Sequence, residues 1–177
     1  MSRSTKILLT GLPRCGKTTA VTKIIANLDC DKIAGFYTQE IRIGGVRKGF
    51  SWNRLDGTTG ILAHIDIKDP FRVGKYGVDV VSFEKSVVPT LDIEKTDTQL
   101  FVIDEIGKME CFSKDFVEAI RSLFKSDKSV LATVALKGSG LISEVKDYPD
   151  TKLFNLTRNN SEKTIDEILQ SLQFLKK

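Results

Sequence analysis

Eight residues inside the stretch LLTGLPRCGKTT, Gly11-Leu12-Pro13-Arg14-Cys15-Gly16-Lys17-Thr18, fit the spacing G-x-x-x-x-G-K-[ST] at every fixed position. Each fixed residue type has a physical reason. Gly11 and Gly16 allow backbone angles and a close approach that a Cβ would block. The N–H groups of the loop can then converge on an anion, backed by the positive end of a helix. Lys17 can reach β- and γ-phosphates, and the Thr18 hydroxyl can ligate Mg²⁺. The chemistry this predicts is binding of a nucleoside triphosphate, with Gly11 to Thr18 and the adjoining Thr19 as contacts.

A phosphate loop needs a metal partner, and LFVIDEIGKME supplies one. Asp104 stands at the end of an apolar run, Leu100 to Ile103. Ligands of open α/β sheets collect at the carboxyl ends of strands. Asp104 is therefore expected beside the loop, holding Mg²⁺ through a water. Glu105 can orient and deprotonate an attacking water; the alternative is a solvated strand end. A kinase excludes water from its acceptor site, so Glu105 favours hydrolysis, although it does not exclude transfer to a hydroxyl.

These side chains need elements to position them. Ile7-Leu8-Leu9 reads as a buried strand stopped by Gly11, and Val21, Ile24, Ile25 and Leu28 follow at helical spacing. From about 33 to 88 the chain is rich in glycine and β-formers and poor in helical periodicity. Gly44-Gly45 predicts a two-residue hairpin turn, with Ile43 facing Val46 and Arg42 facing Arg47. Like charges directly opposite are unfavourable, so either Glu40 offsets them or an anionic ligand does. QLFVIDE and VLATVAL read as buried strands, and Leu153–Leu156 as a short one. Ser113 is placed to cap a helix that buries Phe116, Ile120, Leu123 and Phe124, and Ile165, Ile168, Leu169, Leu172 and Leu175 predict a terminal amphipathic helix. Strands alternating with helices predict one α/β domain over 1–177: a mostly parallel sheet flanked by helices, with an antiparallel β insertion at about 33–88.

The 177 residues suit one domain with a sizeable core, and 41% hydrophobic with 28% charged is ordinary for a globular protein. A net charge of +4 without a long basic run is too mild to indicate a nucleic-acid partner, and it excludes neither that nor a protein partner. Cys15, Cys30 and Cys111 form no CxxC pair, so reduced thiols and a cytoplasmic location are expected. The apolar run before Gly11 is too short for a signal peptide or membrane span. Lys176-Lys177 reads as a solvated end.

The segments GLPRCGKTT, GFYTQEIRIGGVRKGF, RVGKYGVDVVSFE, VIDEIGKMECFS and TRNN occur in the order of the THEP-type nucleoside-triphosphatases, P-loop enzymes with an animal relative called the cancer-related nucleoside-triphosphatase. The chain resembles that family nearly end to end. GFYT before a Glu-x-Arg and Gly-Gly hairpin, and DEIGKME, are specific to it. The resemblance implies a P-loop NTPase fold and slow, Mg²⁺-dependent hydrolysis of ATP, GTP, CTP and other NTPs to NDP and phosphate. It implies Lys17, Asp104 and Glu105 as catalytic residues and Thr18 with Asp104 for the metal. Lys108, inside the second motif, either contacts a γ-phosphate oxygen or fixes the strand end. Two positions depart from the family. Arg14 stands where a glycine is usual, as a surface charge or as an added cation at the phosphates. The late Asn-Arg pair is Asn160-Ser161 here, and Arg158 either substitutes for the arginine or is a loop charge.

Elsewhere Arg72 and Lys75 are loop charges or phosphate contacts, Trp52 is core or a base stack, and His64, with no ligand cluster, is structural. Cys15 lies near a helix N-terminus, which can lower a thiol pKa and permit redox control. The expected protein is a monomeric NTPase. The rival readings are a nucleotide or polynucleotide kinase, with an acceptor pocket under the arginine hairpin, and a nucleotide-switched binding module.

Overall fold

The computed structural model describes residues 4–95 and 97–176, with Cys30 described by its backbone alone. Expectations about the Cys30 thiol and about Lys177 lie outside the described residues.

Among the described residues, nine strands form one sheet. They are β1 (Lys6–Thr10), β2 (Ile33–Ile43), β3 (Val46–Arg54), β4 (Thr59–His64), β5 (Arg72–Val73), β6 (Tyr76–Val78), β7 (Leu100–Ile106), β8 (Ser129–Val134) and β9 (Thr151–Asn155), in the order β5-β6-β4-β3-β2-β7-β8-β1-β9. From the first half of β2 through β7, β8 and β1 to β9 all neighbours are parallel. From β2 outward to β5 they are antiparallel. The helices are α1 (Lys17–Ala26), α2 (Val80–Ser86), α3 (Lys114–Lys125), α4 (Leu141–Lys146) and α5 (Ser161–Ser171).

Strand alternation sends the core two ways. Ile7 and Leu9 of β1 pack with Ala20, Val21 and Ile24 of α1 and Ile165 and Ile168 of α5. Leu8, between them, joins the opposite layer with Phe83 of α2, Phe116 and Ile120 of α3, and Leu141 of α4. Phe36 anchors that layer, its ring meeting Phe83 and Phe116 edge-on at 5.5 and 6.1 Å. Burial on both faces is why β1, β7 and β8 read as continuous apolar runs.

Three local features differ from the sequence reading. β2 is not wholly part of an insertion: its residues Ile33 to Phe36 pair in parallel with Leu100 to Ile103 of β7. Helix α2 lies in the segment read as poor in helix; it has seven residues and buries one, Phe83, so it carries no period to detect. Helix α5 stops at Ser171, and Leu172 and Leu175 stay buried through a short 3₁₀ turn. The hairpin matches its reading: Arg42 pairs with Arg47 and Ile43 with Val46, across Gly44 and Gly45 at φ 57° and 77°. The Ser113 side chain accepts from Phe116 N–H at 2.9 Å and caps α3.

Candidate active site

The phosphate loop links β1 to α1. Gly11 cannot carry a side chain, because a Cβ there would lie 2.5 Å from the Leu156 carbonyl oxygen and 2.7 Å from Cys15 Sγ. Gly16, immediately before α1, has φ 102°, a conformation that favours glycine. Arg14 also has positive φ, at 62°, a conformation that glycine enters more easily than arginine. Lys17 turns back over the loop, donating to the Gly11 and Leu12 carbonyl oxygens at 3.2 and 3.3 Å.

Asp104 and Glu105 do not end their strand. β7 continues to Ile106, and its pairing with β8 slips between Ile103 and Ile106, so Ile103 faces Ala132 while Ile106 faces Val134. The extra residue is a β-bulge, which re-aims side chains where a regular ladder would not. The Asp104–Glu105 peptide is cis. Since β8 lies between β7 and β1, Asp104 must reach across one strand to meet the loop. It does so: the Thr18 hydroxyl donates to Asp104 Oδ2 at 2.7 Å. The Thr133 hydroxyl of β8 donates to Oδ1 at 2.5 Å, and the Thr38 backbone adds a further hydrogen bond.

Burial raises the pKa of Asp104, opposed by its hydrogen bonds to Thr133, Thr18 and Thr38 and by the Lys17 charge. Burial also raises Glu105, opposed by Lys17 and reinforced by Asp104. A base poised above the ordinary carboxylate range is better matched to proton abstraction near neutrality. Glu110, buried near Glu105, is raised well above its usual value by burial and then by the Glu105 charge. The Glu105 Oε1 and Glu110 Oε2 atoms lie 2.8 and 2.9 Å from the point a Gly107 Cβ would occupy, so the two carboxyls crowd the same glycine.

A cavity of about 1140 Å³ opens over these groups. Its floor is the loop, Thr18, Thr19, Asp104 and Glu105; one wall is Thr38, Glu40, Arg42, Arg47 and Phe50 of the hairpin, and the other Leu136 and Lys137 after β8. Strand, loop, carboxylate pair and cavity now stand together. A model of the family described as NTPase matches residues 6–169. The chain belongs to this NTPase family. It is 40% identical to the nucleoside-triphosphatase THEP1 of Thermotoga maritima, over 96% of each chain. The crystal structure of THEP1 from Aquifex aeolicus superposes with a TM-score of 0.88 at 34% identity, covering 95% of this chain and 99% of that one. The solution structure of a human cancer-related nucleoside triphosphatase gives 0.82 at 36% identity, covering 98% and 100%.

Of the residues named for this NTPase from sequence, Gly11, Leu12, Pro13, Arg14, Gly16, Lys17, Thr18, Thr19, Asp104 and Glu105 border the cavity. Cys15, Lys108 and Arg158 are not among its lining residues. Cys15 is half-buried behind the loop against Gly11. Lys108 is exposed on the turn after β7, and Arg158 on the turn before α5, where the Asn160 amide bonds Thr157 N–H and the Asn155 carbonyl oxygen. Trp52 is core, seated on Gly60. His64 Nδ1 accepts from Asp66 N–H, and Arg72 donates to the Ile67 and Lys75 carbonyl oxygens within its own loop. Thr133, Thr38, Glu110 and Lys137 escaped the sequence reading. A single threonine or lysine carries no spacing signal, and Glu110, in GKMECF, reads as any charged turn residue.

Proposed function

We propose that the chain is a Mg²⁺-dependent nucleoside-triphosphatase that hydrolyses ATP, GTP, CTP and other NTPs to NDP and phosphate, slowly and with little base preference, in the cytoplasm. The observation that carries this reading is the convergence of Thr18, Asp104 and Glu105 over the phosphate loop. Names of relatives agree with it: the proteins of Thermotoga and human are called nucleoside-triphosphatases. The free thiols of Cys15 and Cys111 accord with a reducing compartment.

The donor set suits Mg²⁺, which takes one or two carboxylates, hydroxyls and waters beside substrate phosphates. Thr18 and Asp104 offer a hydroxyl and a carboxylate 2.7 Å apart. A Mg²⁺ held by these two groups would supply charge neutralisation to the triphosphate. The loop amides and Lys17 hold the triphosphate in register, Lys17 exchanging its two carbonyl contacts for phosphate oxygens. Glu105 takes a proton from water as the water attacks the γ-phosphorus, and the leaving oxygen is the β–γ bridge. Arg42 and Arg47 are tied to Glu40, and Arg158 is not among the residues that line the cavity. Arg14 also lines the cavity, and among the described residues no arginine is held in place over the loop, so turnover below the enzyme median of ~10 s⁻¹ is expected.

Phosphate release from ATP, GTP and CTP with Mg²⁺ tests the reading, with Lys17→Ala and Glu105→Gln as controls. Comparable slow release from all three, lost in both variants, is the expected result. No release from the wild-type chain, or release that survives Lys17→Ala, would overturn it.

A further inference from the structure

The hairpin wall holds charge that hydrolysis does not use. Arg42 Nε and Nη2 both donate to Glu40 Oε2, at 2.8 and 2.5 Å, while Arg47 Nη1 donates to Oε1 at 2.8 Å. The Arg47 bond, with that of Arg42, keeps the Glu40 carboxylate below its ordinary pKa, so it stays ionised. Further bonds lock the forks: Arg42 Nη1 donates to the Gly45 carbonyl oxygen and Arg47 Nε to Tyr76 Oη, at 2.8 and 2.9 Å. The Arg47 guanidinium also lies 5.2 Å from the Phe50 ring centroid and 5.6 Å from that of Tyr76. Two cations and one anion leave one net positive charge, fixed in orientation. The array remains accessible, the side chains of Arg42 and Arg47 being 43% and 32% exposed.

Position sets the pair apart from the carboxylates. Thr38 touches Asp104 through its backbone, and the strand runs outward from Thr38 to Arg42. At ~3.4 Å per residue that is at most about 14 Å of backbone, since the ladder slips between Ile41 and Arg42, and Glu40 holds the guanidinium there. Yet Arg42, Arg47, Asp104 and Glu105 line one cavity. Its volume of about 1140 Å³ exceeds the ~300–1,000 Å³ usual for one small ligand. We propose that Arg42 and Arg47 form a second anion subsite, beyond Glu105, that takes a phosphate group on a molecule other than the bound triphosphate. Forked, pre-oriented arginines suit phosphate oxygens. Glu40 is the intramolecular anion that keeps the pair poised while the subsite is vacant, and its own charge tempers the affinity. The proposal rests on the reading that the loop holds the triphosphate. The phosphate has two sources of the same chemistry: the ion released by hydrolysis, or an ester carried by a second substrate.

The test fills the loop with the β,γ-imido analogue of ATP and Mg²⁺, so that the γ position is occupied, and titrates inorganic phosphate by calorimetry. Failure of the analogue to bind would count against the nucleotide reading and, with it, this proposal. With the analogue bound, one phosphate per chain is expected. Arg42→Gln combined with Arg47→Gln should weaken it about tenfold, and Glu40→Gln should tighten it about threefold. Arg42→Gln alone, at the exposed hairpin tip, covers the case in which the double variant does not fold, and should also weaken binding. No phosphate binding over the filled loop, or Glu40→Gln weakening it as the arginine changes do, would overturn the proposal. Ribose 5-phosphate separates the sources: tighter binding than inorganic phosphate marks a second substrate, weaker binding the released product.

Discussion

Thr133 on β8 donates its hydroxyl hydrogen to Oδ1 of Asp104 on β7 at 2.5 Å, while Thr18 occupies Oδ2 at 2.7 Å. Both oxygens of one buried carboxylate are thus fixed by hydroxyls from different elements. Thr133→Val keeps the shape and removes the donor. Outer-shell losses of this kind commonly weaken metal binding about 10–100-fold. The variant should need at least tenfold more Mg²⁺ for half-maximal phosphate release and lose about 1–2 kcal/mol of stability. A magnesium titration and a urea melt check the two effects.

Glu105→Gln should lower kcat by about 10²–10⁴ while nucleotide affinity stays within a few-fold, because a general base contributes to the transition state and little to binding. Burial, reinforced by Asp104 and opposed by Lys17, raises the Glu105 pKa above its usual 4.5. The acidic limb of kcat/KM should therefore fall at higher pH than an ordinary glutamate gives. A limb at or below 4.5 in the wild-type profile would contradict this assignment.

Glu110 sets a pH dependence of stability. Its folded pKa is raised, first by burial and next by the Glu105 charge. The folded chain therefore holds a proton that the unfolded chain has released. Stability from this group is full below the unfolded value of about 4.5 and declines as pH climbs through the raised folded value. Glu110→Gln removes the titration. The stability difference between variant and wild type should shift in favour of the variant as pH rises, read from urea melts of nucleotide-free protein at acid and alkaline pH.

Gly35 lies where β2 presses on β7. A Cβ there would fall 1.9 Å from the Val102 carbonyl oxygen, and the residue has φ 121°. Gly35→Ala should cost on the order of 3 kcal/mol, combining backbone strain with overpacking. The thermal midpoint should drop by roughly 6–12 °C for a chain of this size.

Lys137 lines the cavity opposite the hairpin and makes no hydrogen bond or ion pair among the described residues. Lys137→Met should lower kcat about tenfold through lost charge stabilisation at the phosphates. Arg158→Gln and Lys108→Gln, exposed and away from the cavity, should change it by no more than about 0.5 kcal/mol, a factor of roughly two. Steady-state phosphate release on the three variants ranks them.

What the sequence made legible was local. The phosphate loop is read directly because its glycines, Lys17 and Thr18 act within eight residues, and a two-residue glycine turn leaves one register for Arg42 and Arg47. The Ser113 cap is equally local. The support of Asp104 was out of reach: Thr133 is 29 residues away, and only the adjacency of β7 and β8 joins them. The bulge at Asp104 was hidden because an apolar run shows where a strand lies and not where its pairing slips. Lys108 and Arg158 illustrate the same limit. Proximity to a motif in sequence does not say which way a turn residue faces, and neither is among the residues that line the cavity.

β2 is eleven residues long, and its two ends serve different masters. Ile33 to Phe36 are clamped in the parallel core, Thr38 bonds Asp104, and Arg42 waits at the rim. The ladder to β3 slips between Ile41 and Arg42, so the strand bends there and sets its tip apart from the stretch that reaches Asp104. One strand is thereby divided in two by a single irregularity, and a change made at the tip stays on the far side of the bend from the buried acid.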